Sequence, residues 1–280
     1  MAIMDNKIEL FSSLRYDPLL TTLSSNSGVG LSDGKNPSPF YMLPFHRDRI
    51  LQAAEHFHYD DAANKLRGSQ GLDFIIRKLT ETIDTDSSTP LRVRILVGSD
   101  GVVQIESNPV PVVAKEQLYP SRLPPPKDAV ELKVSPLTGG AMTMGDNDSV
   151  SGDPHTDHPW DVIPDPSLTP PTSYTSYKTT SRDMYNSARE RVGIQDMAEK
   201  REVLLVAGQE GEIMEGSLTS PYFWRNGKWT TPPVSSGGQI GTTRRWALDQ
   251  GYVAGGGTCG RLANRRTDFV LKGWSKLTLW

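Results

Sequence analysis

Three short motifs in this chain carry groups that could act together on one small molecule. Lys178 lies in Tyr174-Thr-Ser-Tyr-Lys-Thr-Thr-Ser-Arg-Asp-Met-Tyr185, where the small residues Thr179, Thr180 and Ser181 leave room around its amine. Glu215 ends a strand-like run and is followed by Gly216-Ser217. Gly241-Thr242-Thr243-Arg244 then opens a helical pattern. A lysine amine bonds reversibly to an aldehyde carbon. A buried carboxylate can keep a ring nitrogen protonated, which makes the ring an electron sink. The first N–H groups of a helix bind phosphate, and threonine hydroxyls add donors. A cationic side chain would complete such a cradle.

Aldehyde, ring nitrogen and phosphate are the three ends of pyridoxal phosphate. Taken singly, each motif has a plainer reading: a solvated lysine, a strand-end acid, a turn with a helix cap. Their order and spacing together point to the cofactor.

Helical and strand patterns alternate along the chain that must position these groups. Residues 7–16 read as a first strand and its exit, and 20–38, rich in Ser, Gly and Asn, as a mobile loop. Residues 46–57 place Ile50, Leu51, Ala54 and Phe57 on one helical side, and 72–83 repeat that spacing with Leu72, Ile75, Ile76, Leu79 and Ile83. Residues 91–97 and 102–106 form a hairpin over Gly98-Ser-Asp-Gly101. Residues 108–127 are rich in proline, and 133–171 show little periodicity. The stretch 111–160 therefore reads as an interdomain connector, with a disordered insertion around 138–154. Beyond it the patterns predict a helix over 182–191 and strands over 202–207 and 212–215. A hairpin around Asn226-Gly227 and a helix over 242–249 follow. The fold class is α+β, with a small N-terminal domain over 1–110 and a C-terminal cofactor-binding domain over 161–280.

Composition narrows the function. The 280 residues are 36% hydrophobic, enough for a sizeable core, and a net charge of −3 gives no reason to expect a nucleic-acid or anionic-membrane partner. The single cysteine, Cys259, rules out an internal disulfide and argues against a Cys-based metal site; it sits among glycines with no mark of a nucleophile. No apolar run approaches the roughly 20 residues of a membrane span. The N-terminus carries acids early and lacks the apolar core of a signal peptide, so a cytoplasmic location is expected. His155, His158 and Asp161 are rich in metal-ligand types, but Pro154 and Pro159 argue against a helix, and a solvated loop with no metal is expected. His56 and His58 at a helix end suit packing or capping, and Trp224 and Trp229 suit a cross-strand pair.

The motif series resembles the fold-type IV pyridoxal phosphate enzymes, the class IV aminotransferase family. Its members include branched-chain and D-amino-acid aminotransferases and 4-amino-4-deoxychorismate lyase. The quoted residues are Lys178, Glu215-Gly216-Ser217, Thr231-Pro232 and Gly241-Thr242-Thr243-Arg244, with His46-Arg-Asp-Arg49-Ile50-Leu51 similar to the family's His-x-x-Arg-Leu helix. Glu9-Leu-Phe-Ser-Ser-Leu-Arg-Tyr-Asp-Pro18, Leu91-Arg-Val-Arg94 and Glu215-Gly-Ser-Leu-Thr-Ser-Pro-Tyr-Phe223 look most like the fungal lyase-like group. The resemblance implies a small N-terminal α/β sandwich, a larger β-rich C-terminal domain, cofactor in the cleft between them, and a homodimer. It gives Arg49 the phosphate and His46 a structural place.

For a small-molecule amino substrate, the resemblance implies that Lys178 moves protons as base and acid. The lyase reading releases pyruvate and leaves 4-aminobenzoate, a folate precursor. The alternative is an aminotransferase of branched-chain or D-amino acids. Arg92 or Arg94 could meet a substrate carboxylate; in the plainer reading one faces solvent and the other pairs with an acid. After Gln250 the chain departs from the family's Ser/Thr-Asn-Gly or Ser-Gly-Thr pattern, and nothing around Thr258 or Asn264 marks a substitute. The sequence therefore points to a C-terminal end truncated or altered there. A third reading follows: a relative that binds cofactor without turnover.

Overall fold

The computed structural model describes residues 8–22, 37–120, 133–134, 141–142, 161–207, 211–225 and 228–255. Apart from 141–142, the expected insertion lies outside these residues. So do 23–36 of the expected loop, the Asn226-Gly227 turn, His155, His158, Thr258, Cys259 and Asn264.

Strict alternation gives the N-terminal sheet two different faces. β1 (Leu10–Tyr16), β2 (Leu91–Val97) and β3 (Val103–Pro109) pair antiparallel in the order β1-β2-β3. Gly101 closes the β2–β3 turn at φ +70, which its lack of a side chain permits. Leu10, Leu14, Tyr16, Val93, Ile95 and Val97 are buried on one face. They pack with Ile50, Ala53 and Ala54 of α1 (Leu43–His56), Leu66 of α2 (Asp60–Leu66), and Ile75 and Leu79 of α3 (Gly68–Thr82). Each such aliphatic side chain contributes about 1.5–3 kcal/mol by leaving water. The other face carries Phe11, Ser13 and Arg15 beside Arg92 and Arg94, with Ser13 opposite Arg94 and Arg15 opposite Arg92.

α4 (Lys115–Leu118) follows, then β4 (Lys133–Val134) and β5 (Ala141–Met142), which form a two-residue ladder. In the C-terminal half β6 (Asp161–Leu168) runs parallel to β7 (Arg201–Ala207), and β8 (Glu212–Gly216) antiparallel to it. α5 (Ser173–Ser176) and α6 (Asp183–Arg191) lie between β6 and β7. Tyr185 and Ala188 of α6 pack on Val203, Leu205, Ala207 and Met214. On the other face of β7, Leu204 and Val206 meet Ile213 and Phe223. β9 (Phe223–Arg225) and β10 (Lys228–Thr231) form the expected hairpin, with Trp224 opposite Trp229. β11 (Ala254–Gly255) adds parallel to β10. α7 (Thr242–Asp249) joins the halves, with Trp246 and Ala247 against Tyr41, Met42 and Leu118.

Several expectations need correction. The supposed aperiodic stretch contains β6, whose Pro164 and Pro166 break the alternation and remove two ladder donors. β6 tolerates them as an edge strand with a register shift between Pro164 and Leu168. Arg191 of α6 anchors it, donating to Asp165 through Nε at 2.8 Å and Nη2 at 2.5 Å. α2 and α5 are too short to show a period. Residues 18–22, partly assigned to the mobile loop, form a 3-10 turn with Leu20 buried. The tail that matched no family pattern begins with β11.

The Lys178 segment is stitched to the N-terminal sheet. Phe11 N donates to Lys178 O at 3.0 Å and Thr180 N to Glu9 O at 2.9 Å, an isolated bridge to the start of β1.

Candidate active site

A cavity of about 770 Å³ lies between the charged face of β1–β2 and the ends of β8, α6 and α7. Every site residue expected from the sequence lines it: Arg49, Arg92, Arg94, Lys178, Glu215, Gly216, Ser217, Thr242 and Thr243. They come from five separate segments, so only the fold brings them together.

The Lys178 amine sits 5.0 Å from the centre of the Phe11 ring. Burial pushes its pKa well below the ordinary lysine value, and repulsion from Arg49, Arg182 and Arg92 adds to this against the opposing pull of Glu215. A neutral amine is a nucleophile and can accept a proton, which a charged one cannot.

Glu215 is buried at the end of β8. Burial raises its carboxyl to about 7, while hydrogen bonds from Tyr185 and Gln239 and the charges of Lys178 and Arg182 work the other way. Tyr185 OH donates to Oε1 at 2.5 Å, and Gln239 N donates to Oε2 at 3.3 Å. Gln239 Nε2 donates to the Tyr185 oxygen at 2.9 Å, and the Arg182 guanidinium lies 4.2 Å from the Tyr185 ring centre. Gly216 has no room for a side chain: a Cβ there would come within 2.9 Å of Thr219 O.

At another edge of the cavity, Arg49 Nη2 donates to Ser12 Oγ and, at 3.4 Å, to His46 Nδ1. Ser12 Oγ lies 2.7 Å from the same nitrogen. Arg49 must donate to both, so Ser12 donates to Nδ1 and the imidazole proton is assigned to Nε2. Burial, with Arg49 and Lys178 nearby, lowers the His46 pKa well below its usual value, in keeping with a neutral ring. Burial lowers the Arg49 guanidinium to about 10, opposed by Glu215, and its Nε is buried without a partner. The start of α7 supplies Thr242 and Thr243, both buried. Gly241 provides no side-chain cap and the first turn has no acid, so the free N–H groups there remain open to an anion.

Arg92 and Arg94 sit on one face of β2, both toward the cavity. Arg94 Nη1 donates to Glu106 Oε2 at 3.1 Å, and its guanidinium lies 4.6 Å from the Phe11 ring centre. Arg92 Nε and Ser13 Oγ are buried without partners. One arginine therefore meets an acid, as the plainer reading had it, and the other turns inward rather than to solvent.

Sequence reasoning missed Tyr185, Arg182, Gln239 and Glu202. Tyr185 and Arg182 stand in the quoted Lys178 motif, a helical turn apart on the side of α6 that meets Glu215, and that spacing was the available signal. His56, set aside as packing, stacks on Tyr177 at 4.3 Å and pairs with Ser173 at 2.7 Å. Among the described residues no group of acids, histidines or cysteines could hold a metal ion.

With this geometry in place, the chain can be compared with known proteins. Residues 146–256 match the model of the amino-transferase class IV family. Over 180 residues the chain is 28% identical to the aminodeoxychorismate lyase of Saccharomyces cerevisiae, an alignment covering 59% of this chain and 44% of that protein. The matched part thus spans less than half of the curated relative. A Mesorhizobium loti protein described as a candidate amino-acid aminotransferase superposes with a TM-score of 0.53 at 18% identity, covering 89% of this chain and 86% of that one. The branched-chain amino acid aminotransferase of Escherichia coli superposes with a TM-score of 0.50 at 17% identity, covering 90% and 68%. The α+β fold is that of the class IV aminotransferases, and the resemblance read from the motifs is to proteins of this pyridoxal phosphate-dependent group.

Proposed function

We propose that the chain binds pyridoxal phosphate in this cavity and acts as an aminodeoxychorismate lyase-like enzyme, releasing pyruvate from 4-amino-4-deoxychorismate to leave 4-aminobenzoate. The observation that carries the cofactor assignment is the convergence of a buried amine, a buried acid and an unsatisfied anion site on one space. Arg49 Nε, a buried donor without a partner, fits a phosphate oxygen, as do the open N–H groups and hydroxyls of Thr242 and Thr243. Glu215 suits the ring nitrogen, and Gly216, without a side chain, lets the Ser217–Thr219 turn close against the end of β8. Bound there, the cofactor supplies an electron sink for the substrate's α-carbon.

The chain's own residues do the rest. Lys178, whose amine burial makes easier to deprotonate, takes and returns protons at its Nζ. Glu215 holds or accepts the proton shared with its partner. The cationic wall favours a substrate with more than one carboxylate, and Arg92, with Nε unpaired, is the stronger carboxylate partner; Arg94 already shares its charge with Glu106. A branched-chain substrate would press apolar groups against these arginines.

Purified protein loaded with cofactor should release pyruvate and 4-aminobenzoate from 4-amino-4-deoxychorismate. Keto-acid formation from amino acids without pyruvate would reassign it as an aminotransferase. A cofactor absorbance band with neither product would mark a binding relative without turnover. The reading extends to a two-domain homodimer, with domains at 1–110 and 161–280 joined by 111–160, working in the cytoplasm. It is supported by the resemblance; among the described residues no helix is long and apolar enough to cross a membrane.

A further inference from the structure

Glu202 is fully buried on β7, on the face it shares with Leu204 and Val206. A carboxylate there is costly unless hydrogen-bonded throughout. Its Oε1 accepts from Val203 N at 2.9 Å, Ser217 N at 3.0 Å and Ser217 Oγ at 2.6 Å. Its Oε2 accepts from Leu218 N at 3.2 Å and Thr219 Oγ1 at 2.8 Å. All but the Val203 contact go to one turn, Ser217–Thr219, directly after Glu215 and Gly216 in the cavity wall. The turn is closed by Gly216 N donating to Thr219 O at 2.9 Å, and it is held from outside by Arg182 Nη2 on Ser217 O at 2.7 Å. Arg189 Nη1 reaches Ser217 Oγ at 3.4 Å.

We infer that Glu202 is the positioning residue of this site: its carboxylate clamps the Ser217–Thr219 turn, fixing where Gly216 faces the cofactor ring and how the end of β8 aims Glu215. This rests on the proposed cofactor reading. A carboxylate accepts at both oxygens and carries no donor. A carboxamide would turn an NH2 toward Leu218 N–H and the Thr219 hydroxyl, or toward the Ser217 donors. The Ser217 hydroxyl is thereby committed to Glu202 and acts through the turn rather than on a ligand.

Hydrogen exchange of the chain without cofactor, compared between wild type and Glu202→Gln, tests the clamp. The Leu218 amide should lose protection by about tenfold or more, while those of β1–β3 keep theirs, as does Ser217 N, which also donates to Val203 O at 2.9 Å. Pyridoxal phosphate titrated into the same proteins should bind Glu202→Gln about tenfold more weakly, and the pH midpoint of the bound cofactor's absorbance should move. If Glu202→Gln does not fold, Thr219→Val removes one donor from Oε2 at similar size. It should then loosen Leu218 and shift that midpoint in the same direction. Unchanged Leu218 protection in a folded variant overturns the clamp. Lost protection with unchanged affinity and midpoint overturns the positioning role. A wild type that binds no pyridoxal phosphate refutes the proposed function and the site role with it, while exchange still reports on the clamp.

Discussion

The two walls of the cavity are built on opposite principles. On the β8–α6 side the polar groups satisfy one another: Glu202 is saturated by the Ser217–Thr219 turn, Glu215 by Tyr185 and Gln239, and Arg182 and Arg189 by Ser217 and Asp196. On the β1–β2–α1 side Arg49 Nε, Arg92 Nε and Ser13 Oγ are buried with nothing to bond. Buried donors without partners are rare in folded proteins. A saturated wall is rigid and suits holding a ring in place. An unsatisfied cationic wall suits recognising anions that arrive from outside. Lys178, stitched to β1 yet facing Glu215, stands between them.

Substitutions should break this contrast in a definite order. Lys178→Ala should cost the most, roughly 10³-fold or more in turnover, because no other amine faces the cavity from that bridge. Steady-state pyruvate release checks it.

Glu215→Gln should show itself in stability. The raised carboxyl means the folded chain holds a proton between pH 4.5 and about 7 that the unfolded chain releases. Wild type without cofactor therefore loses stability as pH rises through that window, by an amount on the order of a few kcal/mol. The Gln variant should lose that dependence and be the more stable above pH 7 in urea melts. A parallel slope in both proteins would mean Glu215 is ionised throughout.

Arg49→Met should weaken pyridoxal phosphate binding by roughly 10- to 100-fold, with a smaller effect on pyridoxal, which lacks the phosphate. Equal losses for both would remove the phosphate from the open wall. Arg92→Met should raise the substrate KM about tenfold, and Arg94→Met by less, since its charge is already partly met by Glu106. The reverse ranking would mean that the Glu106 pair opens on binding. Asp48→Asn, which breaks the 2.7 Å pair with Arg245 between α1 and α7, should cost only about 0–1 kcal/mol, since both groups are partly exposed.

How much of this was legible in the sequence follows the same division. Periodicity marked the main strands and the longer helices, because each buries one regular face. Lys178, Arg49 and the Thr242-Thr243 helix start were visible because their neighbours form local motifs. β6 was hidden by Pro164 and Pro166, which an edge strand accepts through an irregular register. Glu202 was hidden because an acid at the start of a strand normally faces water. Its place on the same face as Leu204 and Val206 was the one hint that it turns inward, and only the fold supplies the turn that satisfies it. The unsatisfied atoms on the open wall have no sequence signature at all, since they depend on which donors packing leaves unpaired.

The central claim is that Lys178 is the amine that meets the cofactor aldehyde. Its most direct test is borohydride reduction of the protein with pyridoxal phosphate, followed by peptide mapping. The account predicts a single stoichiometric label on Lys178, blocked by omitting the cofactor and absent in Lys178→Ala. A label on another lysine, or none above background, would contradict it.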